Sequence, residues 1–198
     1  MRIPSRNHCY RLMREMGMLE HIAAHSLMVC MVSLKLAEGI IGRGVPLSRA
    51  LIRAGAILHD ITKTRSFKTG EHHGDTGGVL LEELGFPEVG DIIRQHVRLE
   101  GVSSPDIITE AEIVHYADKR VLHDHVVGLD ERMRYIIGRY ARTEEHVRIL
   151  TGIWNQTRTL EEKIFHHQAF GPEELASRIS REEFAAEREI LMEIFHGE

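Results

Sequence analysis

Apolar residues recur in this chain at intervals of three and four along almost its whole length, and strict alternation is hard to find. A period near 3.6 lines such residues along one face of an α-helix, whereas a half-buried strand needs a period of two. The expected fold class is therefore all-α. A chain of 198 residues can bury one sizeable core, which favours a single domain over 1–198.

Local signals divide the helical pattern. Ser5 precedes a short first helix, and a longer one runs from about Leu19 through "HIAAHSLMVCMVSLKLAEGI" to Gly42 and Gly44. Ser48 is a plausible cap for "LSRALIRAGAILHD", while the polar stretch from Ile61 to about His73, with Gly70, reads as a loop. "GDTGGVLLEELG" restores a helix that Gly85 stops, and Pro87 suits the first turn of another reaching His96. A turn is expected from Gly101 to Pro105. A helix follows through "TEAEIVHYADKRVLHDHVV", with Thr109 and Glu112 in capping-box spacing. Further helices are expected through "DERMRYIIGRYAR", "EEHVRILTGIWNQTRTLEEKIFHH", "EELASRI" and, from a Ser180–Glu183 capping box, to the end. No Pro-, Gly- or Ser-rich linker and no repeat divides the chain.

Composition narrows the functional classes. The net charge of −5 offers no positive excess for phosphate backbones or anionic lipids, which argues against a stable nucleic-acid complex or a membrane role. A local basic patch could still hold a small anion. Cys9 and Cys30 form no recognisable motif, as in a reducing compartment. "MRIPSRNHCYRL" lacks the unbroken apolar core of a signal peptide, and no later run is read as a membrane span, so the expected location is cytoplasmic. The unusual number is 14 histidines, the commonest metal ligand and a ready proton carrier.

"GAILHDITK" sets His59 and Asp60 side by side at the end of an apolar helical stretch. Neighbours on a helix point about 100° apart, so both can face one ion only near a helix end. Taken alone, the dipeptide is better explained by Asp60 capping the next turn and His59 being a satisfied core histidine. Its company changes the balance, because His25 lies in apolar "HIAAHSLMV" and Asp118 in apolar "IVHYADKRV". A carboxylate buried without a positive partner carries a heavy desolvation cost, which a cation removes. His25, His59, Asp60 and Asp118 together make a mixed nitrogen and oxygen set suited to Fe, Mn, Co or Ni and less to Mg, with Zn left open.

The ordered set, in the words "AHSLMV", "AGAILHDITK" and "YADKRV", resembles the HD-domain metal-dependent phosphohydrolases over roughly residues 15–140. The resemblance implies an HD-domain helical bundle with the metal site at its centre; residues 143–198 lie beyond it and are read from their own apolar pattern as a C-terminal helical extension. It also implies divalent metal ions, two of them with Fe or Mn foremost, and two further ligands. These would be His73, followed by Gly77 in "HHGDTGG", and His96 in "IIRQHVR". Asp60 would then bridge the ions, with His25, His59 and Asp118 on one side and His73 and His96 on the other. The match is similar to the branch that hydrolyses diadenosine tetraphosphate symmetrically, while the Gly-Tyr-Pro words of the cyclic-dinucleotide phosphodiesterases are absent.

The implied activity is hydrolysis of a nucleotide or related phosphate ester or anhydride by a metal-activated water. Asp60 or Asp118 would orient or deprotonate that water, and Lys63 would steady the departing phosphate. Lys63, Arg65, Arg98 and Arg120 are the substrate-binding candidates, with Lys68 and Lys119 as further contacts, each weighed against an ordinary surface charge. A di-iron oxygenase of the same superfamily, oxidising a polyol or a phosphonate, and a non-catalytic nucleotide-binding domain remain as alternatives.

The other histidines carry less. His21 and His25 have zinc-protease spacing, but Ile22 stands where the general-base Glu belongs. His72 competes with His73 and loses on the glycine spacing. His115 reads as a packed helix residue, and His123, His125, His146, His166, His167 and His196 have no supporting context. "GDTGG" lacks the Lys-Ser/Thr of a phosphate loop, and its small residues more simply let a helix approach the site. The tail with Trp154 is read as completing the bundle or forming a homodimer face.

Overall fold

A computed structural model describes residues 1–101 and 107–197. The turn expected at 101–105 falls largely outside them. Among the described residues the chain forms ten α-helices: α1 (Arg6–Glu15), α2 (Glu20–Gly42), α3 (Arg49–Leu58), α4 (Lys63–Thr69), α5 (His73–Glu83), α6 (Pro87–Gln95), α7 (Glu110–Lys119), α8 (Leu129–Tyr140), α9 (Glu144–Phe165) and α10 (Arg181–His196). The all-α expectation holds. Ser5, Ser48 and Ser180 each accept a backbone N–H of the first turn of α1, α3 and α10. Thr109 and Glu112 form the full reciprocal box at α7. These bonds satisfy amide donors that have no partner inside the helix.

Four segments differ from the sequence reading. The stretch read as a loop contains α4, which buries none of its residues and so leaves no apolar stripe to read; Gly70 ends it with φ of 72°. The helix expected to run through Val127 stops at Lys119. A two-residue hairpin follows, β1 (Val121–Leu122) paired antiparallel with β2 (His125–Val126), and His123 in its turn takes a positive φ of 56°. Strands of two residues are too short to show an alternation. "EELASRI" is a 3₁₀ helix over Pro172–Arg178. Finally, α2 is long and apolar enough to cross a membrane by length and composition, although none was expected; 67% of its most apolar window is buried by the rest of the chain.

That burial gives α2 its role. A helix apolar on all sides belongs in a core, and α2 packs on α3, α7 and α10. One apolar cluster extends from Cys9 to Leu191. Both cysteines are inside it, and burial pushes each thiol up to about 12, which leaves them unreactive. In the C-terminal part, α9 lies on α7 and buries Trp154, Thr157, Leu160 and Ile164. Lys163 also donates to both carboxylate oxygens of Glu112, at 2.8 and 2.9 Å. α10 returns to α1, where Tyr10 donates to Glu187 at 2.6 Å.

α5 and α6 approach each other closely, and glycine makes this possible. A Cβ on Gly90 would lie 2.6 Å from the carbonyl oxygen of Gly78, and one on Gly77 would lie 2.9 Å from Ile93 Cγ2. The first contact is with backbone and cannot relax by a rotamer change. Gly90→Ala is therefore expected to destabilise the protein by roughly 1–3 kcal/mol. A thermal melt checks this against Gly152→Ala, where an added Cβ meets nothing within 4 Å.

Candidate metal centre

The expected site residues come from the ends of several helices. His59 is the C-cap of α3, and Asp60 follows it in a tight turn in which the Ile61 N–H donates to the Leu58 carbonyl of α3 and the Asp60 carbonyl accepts from the Lys63 N–H of α4. His96 is the C-cap of α6, and His73 is the first residue of α5. His25 sits one turn into α2 and Asp118 near the end of α7. At a chain corner successive side chains need not diverge by a full helical step, so His59 and Asp60 can face a common point.

The structure brings all six together. Asp118 Oδ1 lies 3.0 Å from His25 Nε2 and 3.8 Å from His59 Nε2. Asp60 stands between two sets: its Oδ2 is 3.4 Å from His59 Nε2, while its Oδ1 is 3.2 Å from His73 Nε2 and 3.5 Å from His96 Nε2. Two groups, His25 with His59 and Asp118 and His59 with Asp60 and His96, each have ligand atoms within 4.8 Å of one another. His59, Asp60 and His96 are buried, while 24% of the His73 side chain is open to solvent.

The placement of protons makes these residues fit a cation. His25 Nδ1 lies 2.8 Å from the His123 carbonyl, His59 Nδ1 2.8 Å from that of Ala56, and His96 Nδ1 2.6 Å from that of Ile93. Each carbonyl can only accept, so Nδ1 carries the proton and the neutral ring presents a lone pair at Nε2. Those lone pairs face carboxylate oxygens, an arrangement that repels unless a positive charge lies between. His59 Nε2 and Asp60 Oδ1 are also buried with no hydrogen-bond partner, a costly state for polar atoms in a core. A divalent ion ligated by these atoms removes both penalties. Backbone carbonyls that fix the tautomer of a ligating histidine are a usual part of such sites.

Charge around the donors is consistent with this. Burial opposes ionisation of Asp60, yet Lys63 and His59 beside it hold its carboxyl well below the usual range. Asp118 is held low in the same way against burial, by Lys119 first and then by His25 and Arg132. Burial pushes His25 down and His96 down to about 4, which keeps both neutral and ready to ligate. Burial also depresses His59, but Asp60 and Asp118 outweigh it and raise its pKa, so a proton competes with a metal there.

The candidate cations divide. Lys63 donates to Asp60 Oδ2 at 2.6 Å and lines the hollows above the cluster. Arg65 pairs with Glu71 and lines a separate hollow with Asp75 and Thr76. Lys68 and Arg98 are exposed. Arg120 is corrected outright: it is buried and donates to the carbonyls of Val127 and Pro172, to Tyr116 Oη and to Glu161, so it ties the hairpin and α7 to the C-terminal part. Lys119 is spent on Asp118 Oδ2 at 2.7 Å and on the His96 carbonyl at 2.9 Å.

Three contributors were not legible in the sequence. Arg132 of α8 reaches Asp118 Oδ1 at 3.5 Å, from a segment with no apolar or motif context. His123 acts through its carbonyl, which no side-chain motif reports. His115, taken as a packed histidine, is that and more: its Nδ1 donates to the His96 carbonyl at 2.9 Å, with Thr157 Oγ1 3.3 Å from Nε2, so it anchors the turn carrying His96.

Comparison with known proteins finds a family match. The HD domain family matches residues 22–121. A protein of Methanocaldococcus jannaschii described as uncharacterized is 29% identical over 125 residues, covering 57% of this chain and 73% of the relative. A tRNA (cytidine(56)-2'-O)-methyltransferase of Picrophilus torridus is 26% identical over 146 residues, covering 66% of this chain and 40% of that enzyme. No solved structure gives a significant match.

Two outcomes are expected. Metal-free protein titrated with Mn²⁺ or Fe²⁺ should melt at higher temperature, by an amount equivalent to about 2.7 kcal/mol at a hundredfold excess over Kd. Asp60→Asn, which keeps the side-chain shape, should abolish that rise and lower the bound metal found by elemental analysis. The second outcome concerns His115, whose pKa burial lowers to about 3. The unfolded chain takes up this proton below about pH 6.5 and the folded chain does not, so stability is present at neutral pH and is lost as pH falls from 6.5 toward 3. Between pH 6.5 and 5 the loss from this residue is roughly 2 kcal/mol. Urea unfolding of metal-free protein should show that slope, and His115→Gln should flatten it by one proton.

Proposed function

The chain belongs to the HD-domain family, and from that premise we propose that it is a metal-dependent phosphohydrolase whose substrate is a small phosphate ester or anhydride, a nucleotide before others. The observation that supports this most is the set of Nε2 lone pairs and carboxylate oxygens around Asp60, arranged for cations and open to solvent on the side of His73 and Lys63. Bound divalent ions supply charge: they polarise a phosphoryl oxygen and acidify a nearby water at neutral pH.

The chain's own groups do the rest. Asp60 and Asp118 are ionised and can orient a water or accept its proton. One donor of the Lys63 ammonium is held by Asp60, which leaves further N–H bonds for a phosphoryl oxygen as charge grows on the leaving group. Burial of His59, Asp60 and His96 excludes bulk water from the inner wall and strengthens each of these interactions. No side-chain nucleophile is needed.

The curated relative from Picrophilus torridus is named for action on tRNA, which supports a nucleotide-like substrate over a polyol or phosphonate. We read the chain itself as acting on a small molecule, without a stable nucleic-acid complex.

The test is to strip the protein, reload it with Mn²⁺ or Fe²⁺ under anaerobic conditions, and follow by chromatography the hydrolysis products of nucleotides, dinucleoside polyphosphates and RNA ends bearing 2'- or 3'-phosphate. Turnover is expected without oxygen, and Asp60→Asn should lower it at least a hundredfold while the circular dichroism spectrum stays unchanged. Full metal loading with no phosphate ester or anhydride bond cleaved in any member of the panel overturns the reading, as does turnover that requires oxygen.

A further inference from the structure

We propose that α8 and α9, which lie beyond the stretch matched by the family, build a two-lobed chamber over the metal centre that takes a nucleotide, the base in an apolar lobe against Trp154 and the phosphate chain in a cationic lobe. The proposal rests on the phosphohydrolase reading and adds what selects the substrate.

Two hollows open on the cluster and share part of their lining. One, of about 400 Å³, has His73, His96 and Asp118 on its floor and a wall of Ile136 from α8 with Leu150, Ile153 and Trp154 from α9. The other, of about 380 Å³, has His25 and Asp60 on its floor and carries Arg139 and Arg142 at the end of α8. Lys63, Phe67, Arg132 and Tyr140 line both. The reacting phosphate therefore has an apolar wall on one side and guanidinium groups on the other. Each volume lies within the range of small-ligand sites, roughly 300–1,000 Å³.

Two features show that the chamber is built for an occupant. Arg132 lines both hollows, and one of its Nη groups reaches Asp118 Oδ1 at 3.5 Å. A guanidinium common to the two lobes has further N–H donors for a phosphate oxygen in the chamber, in the forked geometry that arginine favours. At the rim, Phe67 and Tyr140 are 61% and 51% exposed although they border the hollow. Aromatic faces held open beside an apolar wall suit a planar ring that stacks. Inorganic phosphate makes no use of the apolar wall, and a nucleoside makes none of the arginines. A nucleotide uses both.

Trp154 is the only tryptophan in the chain, so its fluorescence reports directly on the apolar lobe. The experiment titrates protein loaded with a diamagnetic ion, Mg²⁺ or Zn²⁺, with a methylene-bridged analogue of adenosine triphosphate, with adenosine, and with inorganic tripolyphosphate. The analogue is expected to change Trp154 emission saturably and to bind at least tenfold more tightly than either fragment. Arg142→Ala, at an exposed position, should weaken the analogue and tripolyphosphate severalfold and leave adenosine unaffected. Tyr140→Ala should weaken the analogue and adenosine and leave tripolyphosphate unaffected. Tripolyphosphate binding as tightly as the analogue, or calorimetric saturation with no change in Trp154 emission, overturns the proposal. If it fails while p-nitrophenyl phosphate is still hydrolysed, the phosphohydrolase reading stands alone. Selective analogue binding with no hydrolysis of any phosphate compound supports the chamber and counts against the hydrolase reading.

Discussion

Two carboxylates in the core of a helical bundle, Asp60 and Asp118, set the terms for everything near them. Each is almost completely removed from water, and a bare buried carboxylate costs several kcal/mol even after the protein relaxes. The chain meets this cost by surrounding them. Lys63 and Lys119 touch one oxygen of each, Arg132 approaches a second oxygen of Asp118, and imidazole nitrogens face what remains. His25, His59 and His96 are fixed by backbone carbonyls in the tautomer that presents a lone pair at Nε2, so the last part of the compensation is left to a cation.

The bundle is arranged to serve that centre. Carbonyls free to accept from a histidine are found where helices end, because the last turn of a helix has no further N–H to receive. His59 and His96 exploit this directly, each turning its Nδ1 onto the carbonyl three residues back in its own final turn. His96 is secured a second time from outside, its carbonyl accepting from both His115 and Lys119 on α7. Lys119 thus couples the two halves of the site, since the same ammonium holds Asp118. The glycine contact between α5 and α6 brings His73 to within 3.2 Å of His96. Helix packing and ligand geometry depend on the same few atoms.

Much of this was legible because burial and charge conflict visibly in the sequence. An Asp within "YADKRV" or "ILHDI" stands out against an apolar period, as do His25 and His59, and four such residues in order are informative even with no structure, whereas His73 and His96 were named only through the family resemblance. The helices were legible for the same reason, being amphipathic or wholly apolar and punctuated by Ser, Thr, Pro and Gly. What escaped had no such signature. α4 buries no residue, so its seven residues look like a loop. The β1–β2 hairpin depends on a histidine at positive φ, a conformation no composition suggests. Arg132 and Arg120 sit in equally charged words, yet one meets the metal centre and the other is consumed by internal carbonyls. The difference lies wholly in tertiary placement.

The charge balance around the cluster also argues for the kind of molecule it receives. Asp60 and Asp118 contribute two negative charges, and Lys63, Lys119 and Arg132 contribute three positive ones, all in contact with those carboxylates. The protein groups alone therefore leave one positive charge in excess, and each divalent ion adds two more. At the effective dielectric of a partly buried site, roughly 20, one pair of unit charges 4 Å apart interacts by about 4 kcal/mol, so such an excess strongly favours an anion. Arg139 and Arg142 extend the same sign along one lobe, although the chain as a whole is acidic. On the proposed reading, a phosphate dianion completes the site that the carboxylates began, whereas a neutral polyol would leave that excess charge unmatched.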